Sequence, residues 1–247
     1  MAKVIDTIRK NIDKDYPIGY LESLRPEPKV LRVVTNGTSL DEEVLGAMCA
    51  GTVKTVEQVG DTILVHYEEA PAAMGTKPDG EVANAIKGII LPDGIQEIPG
   101  EFFAEHHSLE HITLPGALTS IGEYAFADCT SLQSVTIPQG VTSIGAYAFQ
   151  DCTSLQSVTI PQGVTSIGES AFADCTSLQS VTIPQGVTSI GESAFADCTA
   201  LTAYLPQDVQ TVDSYAFNGI KTLYYEGSLE GAPWGATEWI HSSPDHV

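Results

Sequence analysis

Cysteine recurs in the second half of the chain at a fixed spacing of 23 residues, at Cys129, Cys152, Cys175 and Cys198. His106 and Ile220 stand at or near the equivalent position on either side of this series. Thiols at a constant period could form disulfides or hold a chain of metal ions. However, side chains stacked in register ~4.8 Å apart rarely reach the dihedral angle of a disulfide, and an isoleucine at the same position indicates apolar surroundings. We therefore predict a ladder of buried free thiols, with Cys49 outside it.

A ladder of carboxylates comes directly before these cysteines, at Glu105, Asp128, Asp151, Asp174 and Asp197. Carboxylates one repeat apart repel each other, so each needs compensation. The simplest compensation is a cap on the backbone N–H groups of the following Cys-Thr-Ser turn. Calcium ions bridging the repeats are the alternative, because hard cations prefer several carboxylate oxygens. Since each repeat offers one carboxylate at this position, the sequence favours capping.

One stretch gathers groups that could bind a transition metal, namely Glu105, His106, His107, Glu110 and His111. Imidazole and carboxylate are both zinc ligands. In the repeat register, however, His111 points out of a strand, whereas His106 takes the position of Cys129. The ligands do not converge, so we expect adventitious metal binding or none, and no cofactor.

The chain contains no arrangement of residues typical of an enzyme. It has no G-x-S-x-G elbow, no phosphate-binding glycine loop and no H-E-x-x-H motif. Serine and aspartate are frequent because one unit was copied, whereas a catalytic site would single out one copy. We therefore predict a non-enzymatic protein, and an enzyme housed in residues 1–85 is the least favoured hypothesis.

One unit, CTSLQSVTIPQGVTSIGESAFAD, positions most of these residues. It occurs unchanged at residues 152–174 and 175–197, and nearly unchanged at 129–151. Two diverged copies precede it, and a copy that loses one residue between Leu201 and Pro206 follows. Such units bury their apolar faces against their neighbours. The sequence predicts six stacked coils and a terminal strand, roughly 30 Å long at ~4.8 Å per strand.

Within one unit, Leu132, Val135 and Ile137 form the pattern L-x-x-V-x-I. Its alternation predicts a short strand with Val135 and Ile137 pointing inward, and Pro138 ends that strand because it lacks an N–H. The longer pattern LxxVxIPxxVxxIGxxAFxxC resembles the leucine-rich repeats of the BspA type, also called Treponema pallidum type or leucine-rich repeat family 5. The resemblance covers about residues 86–225. It implies a curved right-handed solenoid with a parallel sheet, and a role in adhesion at bacterial or protozoal surfaces.

The predicted fold class is α/β, a solenoid preceded by a small α/β domain at residues 1–85. In that domain we predict a helix near the start, a strand at Lys29–Val34, a helix at Leu40–Cys49 capped by Thr38 or Ser39, and a strand at Thr62–Tyr67. A linker is expected at Ala70–Gly80. Capping of the first coil is favoured over attachment or recognition as the domain's role, because an open solenoid end exposes apolar interior and strand edge.

The C-terminal segment, residues 226–247, is predicted to fold over the last coil with Trp234 and Trp239. The N-terminal segment MAKVIDTIRKNIDKDYPIG lacks the apolar core of a secretory signal and instead has the pattern of an amphipathic helix. The family resemblance implies a secreted or cell-surface protein, so the localisation stays open.

Charge is divided unevenly along the chain. Residues 1–85 hold 14 acids and 9 bases, whereas residues 86–247 hold 18 acids and two bases, Lys87 and Lys221. Nucleic acids and anionic membrane surfaces attract proteins through Lys and Arg. With no apolar run approaching 18 residues either, we predict no nucleic-acid binding and no membrane insertion.

Stacking turns each outward strand position into a row along the solenoid. The rows form a candidate interaction face of Glu110, His111, Thr113, Gln133, Ser134, Thr136, Gln156, Ser157, Thr159, Gln179, Ser180 and Thr182. In this register, Thr202 follows Gln179 and Ala203 follows Ser180, so no aromatic side chain lies on the face. Its hydroxyls and amides could bind a glycan or an extended protein segment, or only stabilise the sheet.

These observations predict a scaffold for protein–protein interaction or adhesion, with a protein or an extracellular-matrix component as partner. A glycan-binding module that uses the Gln, Ser and Thr face is the alternative. The diverged coils, especially the cluster from Glu105 to His111, are the more plausible place for binding.

Overall fold

The computed structural model describes residues 27–38, 40–225, 227, 234, 236 and 239–241. The helix expected near the start of the chain lies outside these residues. The described part of the chain forms 17 strands, two short helices and the turns between them. None of its helices is long or apolar enough to cross a membrane.

The N-terminal part contains three strands, β1 (Val30–Thr35), β2 (Val53–Val59) and β3 (Thr62–Tyr67), and one short helix, α1 (Glu42–Gly46). The predicted strands at β1 and β3 are confirmed. The predicted helix is shorter than expected and is capped by Asp41 instead of Thr38 or Ser39. The Asp41 carboxylate accepts a hydrogen bond from the Glu43 N–H at 2.8 Å, which satisfies one of the free N–H groups at the start of α1.

Strand β2 was missed in the sequence because its residues do not alternate cleanly. A register shift between Val53 and Thr55 marks a β-bulge, which brings Val53 and Val56 to the same face of the strand. The other residues of β2 are mostly exposed, as expected for a strand at the edge of a sheet.

A second short helix, α2 (Gly80–Ala85), leads directly into the first solenoid strand, β4 (Ile86–Ile90). The segment expected to be a linker packs against α1 instead. Gly75 N–H donates to the Met48 carbonyl at 2.8 Å, and Met74 is buried and bridges to Cys49. Residues 70–80 are therefore part of the packed N-terminal region.

The solenoid has one strand per coil on its main sheet. These strands are β6 (His111–Thr113), β8 (Ser134–Thr136), β10 (Ser157–Thr159), β12 (Ser180–Thr182), β14 (Thr202–Leu205) and β16 (Thr222–Tyr225). They continue β4 in a parallel ladder, in which β16 is the predicted terminal strand, and a further strand, β17 (Trp239–His241), adds to β16. The predicted solenoid of about six coils with a parallel sheet is confirmed.

A narrower sheet runs along a second side of the coils. It consists of six two-residue strands, which are β5 (Glu97–Ile98), β7 (Ser120–Ile121), β9 (Ser143–Ile144), β11 (Ser166–Ile167), β13 (Ser189–Ile190) and β15 (Thr211–Val212). A third ladder has no regular strands, and its N–H groups donate to the next coil, as from Phe149 to the Ala171 carbonyl at 2.8 Å. Coil-to-coil hydrogen bonds thus run along three sides, and they satisfy the backbone groups of the turns.

The core of the solenoid is a column of phenylalanine rings, which are Phe103, Phe126, Phe149, Phe172, Phe195 and Phe217. Neighbouring rings are nearly parallel, with centroids 5.0 to 5.5 Å apart. The inward strand residues Val135 and Ile137 are buried as predicted. Trp234 ends the column, because its ring lies 6.4 Å from Phe217 and it is itself buried.

Both ends of the main sheet are continued by other strands. At the N-terminal end, β1 pairs antiparallel with β4, and β3 and β2 follow outward. At the C-terminal end, β17 pairs with β16. These additions cover the edge strands of the first and last coils, where backbone groups and apolar interior would otherwise meet water.

Candidate functional site

The outward residues of the solenoid strands, and the residue before each strand, form a face that we call the strand face. Alternation places Val135 and its equivalents in the core, and their neighbours outside. In the central coils the strand face is exposed at Gln133, Thr136, Gln156, Ser157, Thr159, Gln179, Ser180 and Thr182, whereas Ser134 is half-buried. The parallel pairing of β8, β10 and β12 brings identical residues side by side, as at Ser134, Ser157 and Ser180. The central strand face is therefore an uncharged surface of hydroxyls and amides.

The register of β14 differs from the sequence prediction. Thr202 pairs with Ser180 and Ala203 with Val181, so the predicted succession of Ala203 after Ser180 is wrong. Leu201 keeps the buried position of Leu178, and its N–H donates to the Cys198 carbonyl at 2.9 Å. The missing residue therefore lies immediately after Leu201.

This shift places two tyrosines on the strand face, which the sequence register had left without an aromatic residue. Tyr204 pairs with Thr182, and Tyr224 pairs with Tyr204. Their rings are stacked, with centroids 4.9 Å apart and planes inclined by 8°. Tyr204 is 41% exposed, and Tyr224 is half-buried. The alternation of β14 could have revealed Tyr204, because Ala203 and Leu205 are its buried neighbours.

At its other end, the strand face is occupied by contacts within the protein. His111 is buried, although it was expected to point outward, and its row continues to Ser134. Glu110 and Thr113 are half-buried, and the Glu110 carboxylate lies 3.2 Å from the Lys87 ammonium. Little of this end is available to a partner.

The histidine cluster does not form a metal site. His106 is fully buried at the cysteine position of its coil, as predicted, and burial lowers its pKa to about 4. His107 is exposed, and its Nδ1 lies 2.9 Å from the Asp128 carbonyl oxygen. Within the described residues, no three His, Cys, Asp or Glu side chains come close enough together to hold a metal ion.

The cysteine ladder is buried and reduced in the structure. Each thiol donates to the carbonyl of a phenylalanine in the preceding coil, as Cys152 does to Phe126 at 3.2 Å. Burial raises the pKa of Cys129 to about 12, and raises that of Cys152 and Cys175 well above the usual thiol value. A thiol without a thiolate form is a poor nucleophile and a poor metal ligand. The ladder is therefore a packing feature.

The structure does not show the predicted cap of the following turn by the carboxylates of the ladder. The Thr130 N–H donates to the backbone carbonyl of Asp128 at 2.9 Å, so it is not available to the Asp128 carboxylate. The ladder residues instead have left-handed backbone angles, with φ of 56° to 64°. Aspartate tolerates this region better than most residues. Burial, followed by the charges of Asp174 and Asp128, raises the pKa of Asp151.

Two further tyrosines lie on the turn side of the coils, away from the strand face. Tyr124 and Tyr147 stack with centroids 4.6 Å apart, and the Tyr147 hydroxyl donates to the Glu169 carboxylate. This hydrogen bond raises the pKa of Tyr147 to about 12. Like the aspartates, both tyrosines have positive φ, and Ser170 and Ser193 take the same position in the next coils. Their role is to form part of the stacked turns.

A groove of about 390 Å³ lies between α1 and β2, the outermost strand at the N-terminal edge of the main sheet. It is lined by Glu42, Glu43, Gly46, Ala47, Gly51, Val53 and Val56. These residues offer two carboxylates above an apolar floor, with no nucleophile or histidine among them. The groove carries no catalytic arrangement.

Comparison with known proteins agrees with the geometry. The family model described as the BspA type leucine rich repeat region matches residues 85–224 in six copies. The crystal structure of a T. pallidum leucine-rich repeat protein is 29% identical, with a TM-score of 0.50, covering 63% of this chain and 70% of that one. No curated protein matches the chain.

A leucine-rich repeat protein from Bacteroides ovatus is 22% identical, with a TM-score of 0.52, and the match covers 76% of this chain. The matched region is 52% of the Bacteroides protein, so this chain spans about half of its length. That similarity concerns the fold alone. The period, the parallel sheet and the family match together show that the chain belongs to the BspA-type leucine-rich repeat family.

Proposed function

We propose that the chain is a non-enzymatic scaffold that binds a protein partner or an extracellular-matrix component through its strand face. The observation that carries the proposal is the strand face itself, an uncharged, exposed surface that repeats without interruption over β8, β10 and β12. A stacked series of identical strands offers the same hydrogen-bonding groups every ~4.8 Å, which suits an extended ligand.

Family membership supports this proposal. Leucine-rich repeat proteins typically mediate protein–protein interaction or adhesion, and they are generally non-enzymatic. The acidic solenoid also supports it, because the sequence contains no Lys or Arg between Lys87 and Lys221 to hold a nucleic acid. A secreted or surface location is the setting in which such a scaffold would meet a matrix component.

The proposed division of the chain assigns supporting roles to the regions outside the solenoid. Residues 1–85 cap the first coil, and residues 226–247 cap the last. The antiparallel pairing of β1 with β4 supports the first role, since it occupies the edge of the first solenoid strand. The burial of Trp234 against Phe217 and Tyr225 supports the second.

The test compares two triple variants that have the same change in charge. The face variant replaces Gln133, Gln156 and Gln179 by Lys. The control variant replaces Gln139, Gln162 and Gln185, which are exposed at the same period but follow the strand instead. Proteins are captured from an extracellular-matrix extract with the unmodified full chain, and the enriched component is purified and titrated against all three.

The proposal predicts saturable binding that the face variant loses and the control variant retains. Equal binding by the two variants would contradict it, because recognition would then not depend on the strand face. Thermal unfolding of each variant confirms that the fold is unchanged. Glycan binding is the second candidate function, and the exposed Tyr204 ring favours it.

A further inference from the structure

At the C-terminal end of the strand face, the stacked rings of Tyr204 and Tyr224 lie beside exposed polar side chains of the preceding strand. The row that contains Thr182 continues with Tyr204 and then Tyr224. Tyr224 covers one face of the Tyr204 ring at a centroid distance of 4.9 Å. On the opposite side the row holds Thr182, whose side chain is too short to cover a phenol ring. One face of the Tyr204 ring is therefore open toward the central coils, and the residue is 41% exposed.

The polar side chains next to this open ring face can donate and accept hydrogen bonds without carrying charge. Gln179, Ser180 and Thr182 are exposed there, one strand spacing of ~4.8 Å from the sixth coil, which holds Tyr204. A hydroxyl and an amide each supply both donors and acceptors. This combination of open ring face and neutral hydrogen-bonding groups occurs where the repeated coils meet the diverged ones.

We infer that this corner binds a neutral pyranose, with one face of the sugar against Tyr204 and its hydroxyls on Gln179 and Thr182. The inference rests on the proposed function, since it names a ligand class for one end of the strand face. The face of an aromatic ring carries the negative lobe of its quadrupole, which attracts the weakly positive C–H groups of a sugar ring. The hydroxyls of the sugar then replace hydrogen bonds to water by hydrogen bonds to the Gln179 amide and the Thr182 hydroxyl.

Two observations favour a sugar over a protein side chain and a neutral sugar over an acidic one. Protein hot spots are typically enclosed in desolvated pockets, and the groove described above lies at the other end of the molecule, at α1 and β2. Residues 86–247, the solenoid together with the C-terminal segment, have 18 acids against two bases, which repels sialylated or uronate-containing glycans.

The test is binding of the full chain to an array of neutral and anionic glycans, followed by titration of the bound sugars in solution. Three variants are compared with the unmodified chain. Tyr204→Thr gives the sixth coil the residue of the fifth, Thr182, and Tyr204→Phe keeps the ring. Tyr215→Ser is the matched control, because Tyr215 is 60% exposed on the turn side and the preceding coil has Ser193 at that position.

We expect saturable binding to a neutral glycan that Tyr204→Thr weakens about tenfold or more, whereas Tyr204→Phe and Tyr215→Ser leave it within about twofold. The inference is overturned by binding to anionic glycans only, by the absence of saturable glycan binding, or by equal binding in Tyr204→Thr. If Tyr204→Thr loses a protein partner and no glycan binds, the sugar assignment fails while the proposed scaffold function stands.

Discussion

In the central coils, residues 129–197, nearly every position has the same residue one coil away, whereas the flanking coils replace several of these residues. The phenylalanine column, the buried thiols and the backbone ladders pass through both regions. The strand face does not: it consists of Gln, Ser and Thr in the centre, of His111 and an ion pair at one end, and of Tyr204 and Tyr224 at the other.

The copied unit therefore encodes packing, length and one repeated polar surface, while the ends add chemical groups of their own. A residue that packs against its own copy can be duplicated indefinitely, because each new coil finds the same neighbour. A recognition residue has no such requirement. The exposed stacked tyrosines therefore occur where the repeat has lost a residue, after Leu201.

The largest expected effect comes from the core that both regions share. Phe172→Ala removes a ring stacked at 5.2 Å on both Phe149 and Phe195, so it should lower the free energy of unfolding by about 4 kcal/mol. Trp234→Ala removes a ring at the end of the column and should have roughly half of this effect, because terminal units fray more easily. Urea unfolding followed by circular dichroism measures both, and equal losses would contradict the distinction between centre and end.

A second prediction concerns the buried histidine that replaces a cysteine in the second coil. Burial lowers the pKa of His106 to about 4, below its unfolded value of about 6.5. Between pH 4 and 6.5 the folded protein therefore binds fewer protons at His106 than the unfolded chain does. The stabilisation present above pH 6.5 is lost as the pH falls toward 4. At pH 5 the loss should be about 2 kcal/mol relative to pH 7.5.

The variant His106→Cys, which copies the central coils, should remove this part of the pH dependence. The raised pKa of Asp151 acts in the opposite direction, but it is present in both proteins and cancels in the comparison. His107→Gln, at an exposed neighbour, is the control for the loss of a histidine. If unfolding free energies of the unmodified and His106→Cys proteins change equally between pH 7.5 and 5, the account of His106 is wrong.

A smaller effect is expected at the left-handed positions of the turns. Ser170 has φ of 49° in a central coil, so Ser170→Gly should relieve strain and raise the unfolding free energy by about 0.5 kcal/mol. Gly219 has φ of 73° in the last complete coil, and an added Cβ would lie 2.7 Å from the Asp197 Oδ1. Gly219→Ala should therefore lower the unfolding free energy by about 1 to 2 kcal/mol. Thermal and urea unfolding should show opposite signs for the two changes.

The smallest effect on the unfolding midpoint is expected from removing one copied coil, residues 152–174. Cys175 would then follow Asp151, and the contacts across the new junction would be identical to those across the old one, while one set of coil-to-coil contacts is removed. The shortened protein should unfold cooperatively with a midpoint within a few degrees of the full chain. Unfolding of the whole protein after this deletion would show that the coils are not interchangeable.

The sequence was sufficient for the solenoid because its signal is repeated. Val135, Ile137 and Phe149 recur with their spacing intact, and each further copy supports the inward positions inferred from the copy before it. Features that occur once were harder to predict. Strand β2 was missed because a bulge at residues 53–55 interrupts its alternation, and the cap at Asp41 competed with two other good capping residues.

The outward residues of the central strands were predicted from the sequence, and the tyrosines at the end of the strand face were missed, for the same reason. The loss of one residue after Leu201 can be placed before or after Thr202 by spacing alone. Burial decides between them, because the row of Val181 needs an apolar side chain and Ala203 provides it. That choice places Tyr204 and Tyr224 on the strand face. Their assignment therefore depended on the packing of Ala203, which the sequence register did not include.

The division between the copied coils and the diverged end is tested most sharply by a binding titration with the neutral glycan that the unmodified chain binds. The chain lacking residues 152–174 and the Tyr204→Thr variant are titrated beside it. We predict that the shortened chain binds within about twofold of the full chain and that Tyr204→Thr binds about tenfold more weakly. Strong loss in the shortened chain with full binding by Tyr204→Thr would contradict the claim that the diverged end supplies sugar recognition.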